Sequence, residues 1–286
     1  MSADHPQASG PLDPAPPPPP GVYRVTQVAR AIPDLGAWDA AQVCAFRERG
    51  YVAVERFLSA QQVASAGAAL ADLIMGRVPG FTDIEFEARF RNRPESPGLD
   101  ERQDAVRKLM HFTTHEPRLA AVAQDPRLLP ILAELLGAPP RMFQDMALLK
   151  PPHGREKPWH QDNAYFRFPV PTPVVGVWIA LDEATVANGC MHVLGGGHHQ
   201  GPQVHIQRRD WQLCDTDILG RTITALPISP CGCIIFNVLL PHGTPPNPTP
   251  LRRRALQFHY APAGVPEGTD EDRLAVFGAE GKGASC

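Results

Sequence analysis

Two histidines, an aspartate and an arginine stand where they can act together. His160-Gln161-Asp162 places an imidazole and a carboxylate two residues apart. On an extended segment such residues project from one face, so a ring nitrogen and a carboxylate oxygen can meet a single metal ion. His242, in Pro241-His242-Gly243-Thr244, can supply the third ligand. Two histidines and one carboxylate make the facial set that leaves three positions of an iron(II) ion open for a co-substrate and dioxygen. The chemistry this predicts is oxidation. Arg253 follows within Arg252-Arg253-Arg254. Its planar, permanently charged fork suits the far carboxylate of a chelating keto acid better than a lysine would.

Strands must position these residues. Apolar strand-like runs at 142–149 and 174–181 bracket Trp159-His160-Gln161-Asp162-Asn163, and Asn188-Gly189-Cys190-Met191-His192-Val193 leads into a Gly-rich turn. A further run at 233–240 precedes His242, and Arg253 opens a strand continuing as Ala255-Leu256-Gln257-Phe258-His259-Tyr260. On that strand Arg253, Ala255, Gln257 and His259 share one side, while Arg252 and Arg254 face away as a solvated pair. Upstream, 39–50 reads as a helix closed by Gly50. Ser59-Ala60-Gln61-Gln62 reads as a capping box opening a helix to about residue 77. A third helix is expected over 125–136, with Pro126 at its first position and Gly137 just past its end. The order is helices first and strands afterwards, with the helices buttressing one sheet.

In these pieces the chain resembles the phytanoyl-CoA dioxygenase family of iron(II)- and 2-oxoglutarate-dependent oxygenases, over roughly 58–263. The matching parts are Trp159-His160-Gln161-Asp162, Trp178-Ile179-Ala180-Leu181-Asp182, a segment ending in Ala187-Asn188-Gly189-Cys190, and Pro241-His242-Gly243 followed by Arg253. The resemblance implies a mainly β fold with flanking α-helices and a double-stranded β-helix (jelly-roll, cupin-like) core. It also implies iron on His160, Asp162 and His242, with Arg253 on the distal carboxylate of 2-oxoglutarate. It carries over Lys108, Met146, Trp178 and Thr244 as 2-oxoglutarate-pocket residues and Gln161 as a neighbour of the metal. Each has a competing role: core packing for Met146 and Trp178, a surface charge for Lys108, closure of a turn for Thr244. Where the family often has Pro-Gly-Ser-His, this chain reads Leu194-Gly195-Gly196-Gly197-His198-His199.

The other histidines read differently. His259 and His192 suit hydrogen-bonded core positions, and His198 and His199 suit an exposed mobile turn. Six scattered cysteines, with Cys231-Gly232-Cys233 too close for a zinc site, read as reduced thiols of a cytoplasmic protein. Residues 81–107 are charged and without sustained periodicity, which predicts a lid over the iron with substrate contacts from Phe86 or Phe90. Tyr165, Phe166 and Phe168 form either a second substrate wall or aromatic core.

A length of 286 residues suits one substantial core. The expected organisation is a disordered Pro-rich tail over 1–21 and one catalytic domain over 22–286, its strand core at about 140–263. A net charge of -3 and a pI near 6.4 give no basic field for nucleic acid. No apolar run approaches a membrane span, and the start has no basic or apolar leader. The function that follows is oxidation, normally hydroxylation, of a C–H bond of a small organic substrate, using Fe(II), 2-oxoglutarate and O2 and releasing succinate and CO2. Two alternatives remain open. One is a non-catalytic β-helix protein that binds a small molecule or partner. The other is a cupin-type metal enzyme that does not use 2-oxoglutarate.

Overall fold

Long apolar runs become strands buried on both faces, and short polar junctions become turns. The computed structural model describes residues 16–87, 90 and 98–278. After two short strands, β1 (Gln27–Val28) and β2 (Ile32–Asp34), comes helix α1 (Ala40–Arg49). It opens on a capping box between Asp39 and Gln42 and closes on Gly50 at φ +83°. Strand β3 (Tyr51–Arg56) leads to α2 (Ala60–Ile74), whose N-terminus carries the expected Ser59–Gln62 box. Then follow β4 (Ile84–Phe86), α3 (Leu99–Ala105), β5 (Val106–Met110), α4 (Pro117–Ala123) and α5 (Leu129–Leu136). The third expected helix thus starts later than its sequence suggests. Asp125 takes the backbone N–H of Arg127 instead, and Pro126 sits in the turn before the helix.

From there the chain is mostly strand: β6 (Pro140–Lys150), β7 (Lys157–His160), β8 (Val175–Ala180), β9 (Met191–Val193), β10 (Ile206–Gln207) and β11 (Trp211–Gln212). After α6 (Asp215–Ile218) come β12 (Thr224–Leu226), β13 (Cys233–Asn237), β14 (His242–Thr244), β15 (Arg253–Pro262) and finally α7 (Asp270–Phe277). An eight-stranded sheet runs β2-β3-β13-β8-β15-β6-β5-β4 and a five-stranded sheet β1-β12-β9-β14-β7. On one face of the larger sheet Val177, Ile179, Ile235, Leu256 and Phe258 pack against Leu70, Leu73, Leu119 and Leu132 of the helices. On its other face Trp178, Ala180, Ile234, Phe236 and Ala255 meet Met191, Val193, Ala225 and Leu226. Each Val, Leu, Ile, Phe or Met side chain among these, taken fully out of water, is worth roughly 1.5–3 kcal/mol. The result is the mainly β architecture with flanking helices, two sheets face to face.

Helices do not simply precede strands. Strand β3 lies deep in the larger sheet, paired with β2 and β13. Val52 and Val54 point to the helices while Tyr51 and Ala53 point to the other sheet. A strand buried on both faces shows no apolar-polar alternation to read. The 81–107 stretch is also not wholly irregular, since it contains β4, paired with β5, and α3. Phe86 is half-buried and packs on the helix-side core, with the Arg102 guanidinium 5.8 Å from its ring. Residues 88–89 and 91–97 of the expected lid, and 1–15 of the expected tail, lie outside the described residues.

The end of the proline run is packed against the domain. Pro16, Pro17 and Pro18 line a small cavity with Arg155, Arg209 and Asp210. Beyond them, Val22 is buried and its carbonyl accepts a 2.9 Å bond from the Trp159 indole. Cys44, Cys190, Cys231 and Cys233 are free thiols, but Cys214 is disulfide-bonded, so the expectation of reduced thiols does not extend to it. No helix among the described residues is long and apolar enough to cross a membrane.

Candidate metal and co-substrate site

His160 ends β7, and Asp162 opens a 3-10 turn (Asp162–Tyr165) rather than continuing the strand. Gln161 between them is extended, at φ -111° and ψ 128°, so the two side chains still leave on the same side. Strand β14 lies beside β7 with His242 directly opposite His160. The three side chains thereby converge, each offering one ligand atom within 4.8 Å of the others, and all are buried.

The hydrogen bonds fix which atoms converge. His160 Nδ1 lies 2.7 Å from the Pro158 carbonyl and His242 Nδ1 lies 2.9 Å from the Leu240 carbonyl. A carbonyl only accepts, so each Nδ1 carries a proton, which leaves each Nε2 aimed at Asp162 as the nitrogen that can ligate a metal. Those nitrogens stand 3.1 Å and 3.6 Å from Asp162 Oδ1. Three acceptors facing one point repel unless a cation lies among them, and a two-nitrogen, one-oxygen set suits a borderline divalent ion. Burial alone would raise the Asp162 carboxyl, but His242, His160 and His259 hold it well below the usual carboxylate range. Burial, with His160 alongside, pushes the His242 imidazole down to about 4.

The second oxygen of Asp162 is tied elsewhere. Its Oδ2 accepts from Gln257 Nε2 at 2.9 Å and from His259 Nε2 at 2.8 Å, both on β15. Gln257 Nε2 also lies 3.1 Å from His259 Nε2. The ring nitrogen cannot both donate to Asp162 and accept from the amide, and the carboxylate is the stronger acceptor, so Nε2 carries the proton. His259 Nδ1 then faces Phe143, Phe166 and Phe236 and has no partner. His259 is a buried hydrogen-bonded residue outside the converging triad, as its strand position suggests.

Arg253 is buried on the inner face of β15, its guanidinium 5.3 Å from the Trp178 ring. Nη1 donates to Gly189 O at 2.6 Å, while Nε has no partner among the described residues. Burial pushes its pKa down to about 10. Among the described residues no carboxylate reaches ion-pair distance, so a permanently charged fork stands in the interior with its charge unmatched. Its neighbours do turn away: Arg252 pairs with Asp100 and Asp104, and Arg254 with Asp182. These ion pairs replace the solvated run that the sequence suggests.

The remaining residues divide. Met146 and Trp178 flank Gln257 across the sheet on the inner face. Thr244 is buried, and its hydroxyl accepts from Lys150 Nζ at 2.9 Å. Lys108 is engaged by Glu85 at 3.0 Å and partly exposed. Gln161 is not a neighbour of the metal point. Strand alternation sends it outward, where Nε2 donates to Gly201 O and Leu239 O and Oε1 accepts from Gln203 N. Phe166 and Phe168 form aromatic core with Phe143. Tyr165 instead lies edge-on to His160, its hydroxyl bonded to Lys157 and to Trp211 O. His198 and His199 reach back to the Arg47 and Glu48 carbonyls at the end of α1. Lys150 and the Asp162-holding role of Gln257 escaped the sequence reading. The signal for both was strand parity: Lys150 with Met146, and Gln257 with Arg253.

Residues 46–255 match the family described as Phytanoyl-CoA dioxygenase (PhyH). The chain is 26% identical over 230 residues to a probable alpha-ketoglutarate-dependent hypophosphite dioxygenase of Stutzerimonas stutzeri, covering 76% of this chain and 77% of that one. It is similar to EvdO2 from Micromonospora carbonacea var. aurantiaca complexed with 2-oxoglutarate, with a TM-score of 0.60, 27% identity, and coverage of 84% and 96% of the two chains. EctD from S. alaskensis with bound Fe shares the fold at a TM-score of 0.67 and 23% identity, over 88% of this chain and 85% of that one. The matched span runs from the end of α1 to the start of β15 and so takes in most strands of both sheets, every residue of the triad and Arg253: the chain belongs to the phytanoyl-CoA dioxygenase family.

Proposed function

We propose that His160, Asp162 and His242 hold the iron(II), and Arg253 the 2-oxoglutarate, of a dioxygenase that hydroxylates a C–H bond of a small organic molecule. The observation that carries this reading is the pairing of two incomplete sites on facing strands. One is three ligand atoms aimed at a single point, and the other is a buried guanidinium with no acid in reach among the described residues. A divalent cation completes the first and a carboxylate the second, and a keto diacid bound to the metal supplies that carboxylate. With iron and 2-oxoglutarate bound, dioxygen is consumed, succinate and CO2 are released, and one oxygen atom enters the substrate.

The chain's own residues orient and enclose. Pro158 O and Leu240 O hold the two imidazoles by their Nδ1 protons. Gln257 and His259 fix Asp162 through Oδ2 and leave Oδ1 free. Trp178 and Met146 wall the inner sheet, and Tyr165 lies edge-on to His160. Ectoine and hypophosphite, in the names of relatives, are small molecules, which supports a small-molecule substrate. A cytoplasmic location belongs to the same proposal, supported by four free thiols. The test is anaerobic addition of iron(II) and then 2-oxoglutarate to the apo-protein. A visible charge-transfer band, lost in His160→Ala, is the expected result. Its absence from folded protein would favour a binding role or a metal enzyme that uses no 2-oxoglutarate.

A further inference from the structure

The last helix lies against the turn that carries Asp162. α7 (Asp270–Phe277) lies beyond the residues that match the family, which end at 255. Its Arg273 side chain is 11% exposed, and Nη1 donates to Ala164 O at 2.8 Å. Carbonyls near the end of a short helical turn lack partners within it, and this one stands two residues beyond the metal carboxylate. Asp270 holds the same guanidinium through Nε at 3.1 Å, and the Trp211 ring lies 5.2 Å from it. Phe277 is buried with Ala164 and Trp211. Ahead of the helix, Gly268 N donates to Arg167 O at 2.6 Å and Glu267 pairs with Arg167 at 3.1 Å.

A second route from α7 reaches the residue before Asp162. Gln161 lies past the last paired residue of β7, so no strand takes its buried amide. His205 takes it instead: Nε2 accepts from Gln161 N at 3.0 Å while Nδ1 donates to Gln203 O at 2.9 Å. His205 is in turn held by the end of α7. Its amide donates to the Phe277 carbonyl at 2.7 Å, and its ring lies edge-on to the Phe277 ring with centroids 6.0 Å apart. Gln161 and Ala164 bracket Asp162, and both are held by groups that α7 carries or fixes. Asp162 brings Oδ1 to the metal point, so a swing of this turn carries that oxygen away from the two nitrogens. Gln257 and His259 hold the carboxylate by its other oxygen. α7 holds the backbone that bears it.

We propose that Arg273 and Phe277 are positioning residues for the metal centre: α7 braces the backbone on both sides of Asp162, and iron(II) binding and the docking of α7 strengthen each other. The inference rests on the reading of His160, Asp162 and His242 as the iron site. Such a coupling is reciprocal, since whatever the docked helix adds to metal affinity the metal returns to the docking. A helix that only covers Ala164 and Trp211 would add stability and leave metal affinity where it was.

The experiment takes two readings on the full chain. In the first, amide hydrogen exchange is followed anaerobically in metal-free and iron(II)-loaded protein. α5, packed on the far face of the larger sheet, reports any general stabilisation. On loading with iron, the amides of α7 should slow about 2- to 30-fold more than those of α5, the span over which residues between two sites alter a coupling. In the second, chelator competition measures iron affinity. Arg273→Met and Phe277→Ala should each raise the dissociation constant by a similar factor. Arg273→Lys, which can still donate to Ala164 O, should fall nearer wild type, and a constant no better than that of Arg273→Met would overturn the role of Arg273. A difference in slowing of less than about twofold, or constants within twofold of wild type in both variants, would overturn the inference even where the variants melt lower. Should Phe277→Ala fail to fold, Arg273→Met and the exchange on wild type decide. If neither variant folds, the exchange on wild type decides alone. If iron binds to wild type but not to Asp162→Ala and α7 does not respond, the inference alone fails. If wild type binds no iron(II), the reading of the site fails and the inference with it.

Discussion

Replacing Gln257 or His259 by leucine should weaken iron(II) binding without abolishing it. Asp162 presents Oδ1 to the metal point because Oδ2 is anchored by Gln257 at 2.9 Å and His259 at 2.8 Å. A hydrogen bond to a charged group contributes about 1.5–3 kcal/mol. Partners that orient a metal ligand from behind typically matter 10- to 100-fold in affinity, which agrees with that energy. Each single variant should therefore raise the iron dissociation constant about 10- to 100-fold while the bound stoichiometry stays at one. The double variant leaves Oδ2 in the interior with no donor, and its loss should exceed the product of the singles, because either partner alone still holds the carboxylate. Competition with a chelator under anaerobic conditions measures all three constants. Affinities within twofold of wild type in every variant would refute the anchoring argument. Complete loss of stoichiometric metal in His259→Leu would instead make His259 a ligand.

Changes to the site and to the buried ion network have separable outcomes. His160→Ala and Asp162→Ala should each lose iron and turnover, and turnover retained in Asp162→Ala would remove the facial-triad assignment. Arg253→Ala should keep iron, by the same chelator competition, yet need far more 2-oxoglutarate for half-maximal succinate release, since the distal carboxylate loses its bidentate partner. Away from the site, Arg209 bonds Asp215 at 2.6 and 2.7 Å and Glu156 at 2.5 Å, all buried. Arg209→Met takes the buried cation from both carboxylates, leaving Glu156 the Tyr23 hydroxyl and Asp215 the Gln212 amide and Arg208, and should cost about 3 kcal/mol in denaturant unfolding, with a cost below about 1 kcal/mol counting against it. His192 has both ring nitrogens unpartnered, and burial, with Lys150 adding, pushes its pKa to about 4 from 6.5. Well above pH 6.5 neither state binds the proton. Below 6.5 the unfolded chain takes it up first, so stability is lost as pH falls towards 4, by about 2 kcal/mol at pH 5. Metal-free His192→Leu should lose less stability than wild type between pH 7 and 5, and parallel losses would refute the assignment.

What the sequence made legible here was local and periodic. His160 and Asp162 could be placed together because alternation along an extended segment needs no knowledge of the rest of the fold, and the same rule separated Arg253 from Arg252 and Arg254. Both caps of α1 and the start of α2 lie within three or four residues of what they cap. Gln161 obeys the same rule against the role carried over to it: the alternation that brings Asp162 to His160 sends Gln161 the other way, onto Gly201, Gln203 and Leu239, and nearness in sequence was no guide to nearness to the metal. Strand β3 was hidden because burial on both faces removes the alternation. The late start of α5 was hidden because Asp125 satisfies the Arg127 amide in a turn that competes with the helix.

Lys150 marks where such reading stops and register takes over. As a sequence feature it is a charge at the end of an apolar run, the usual sign of a strand emerging into solvent. Its opposition to Arg253 spans a hundred residues of chain and depends on the register of the β6–β15 pairing, which runs unbroken from Arg253 to His259 and shifts only between His259 and Tyr260. A shift of one residue in that pairing would turn the other face of β6 inward and carry Lys150 away from Arg253. The aromatic cluster of Phe143, Phe166 and Phe168 packs beside this irregularity, and His259 lies within it. The contacts that set the register at the far end of the strand pair are therefore those that bring His259 to Asp162. The metal point and the Lys150–Arg253 pair are thus positioned by one strand, and a disturbance of the aromatic cluster should reach both.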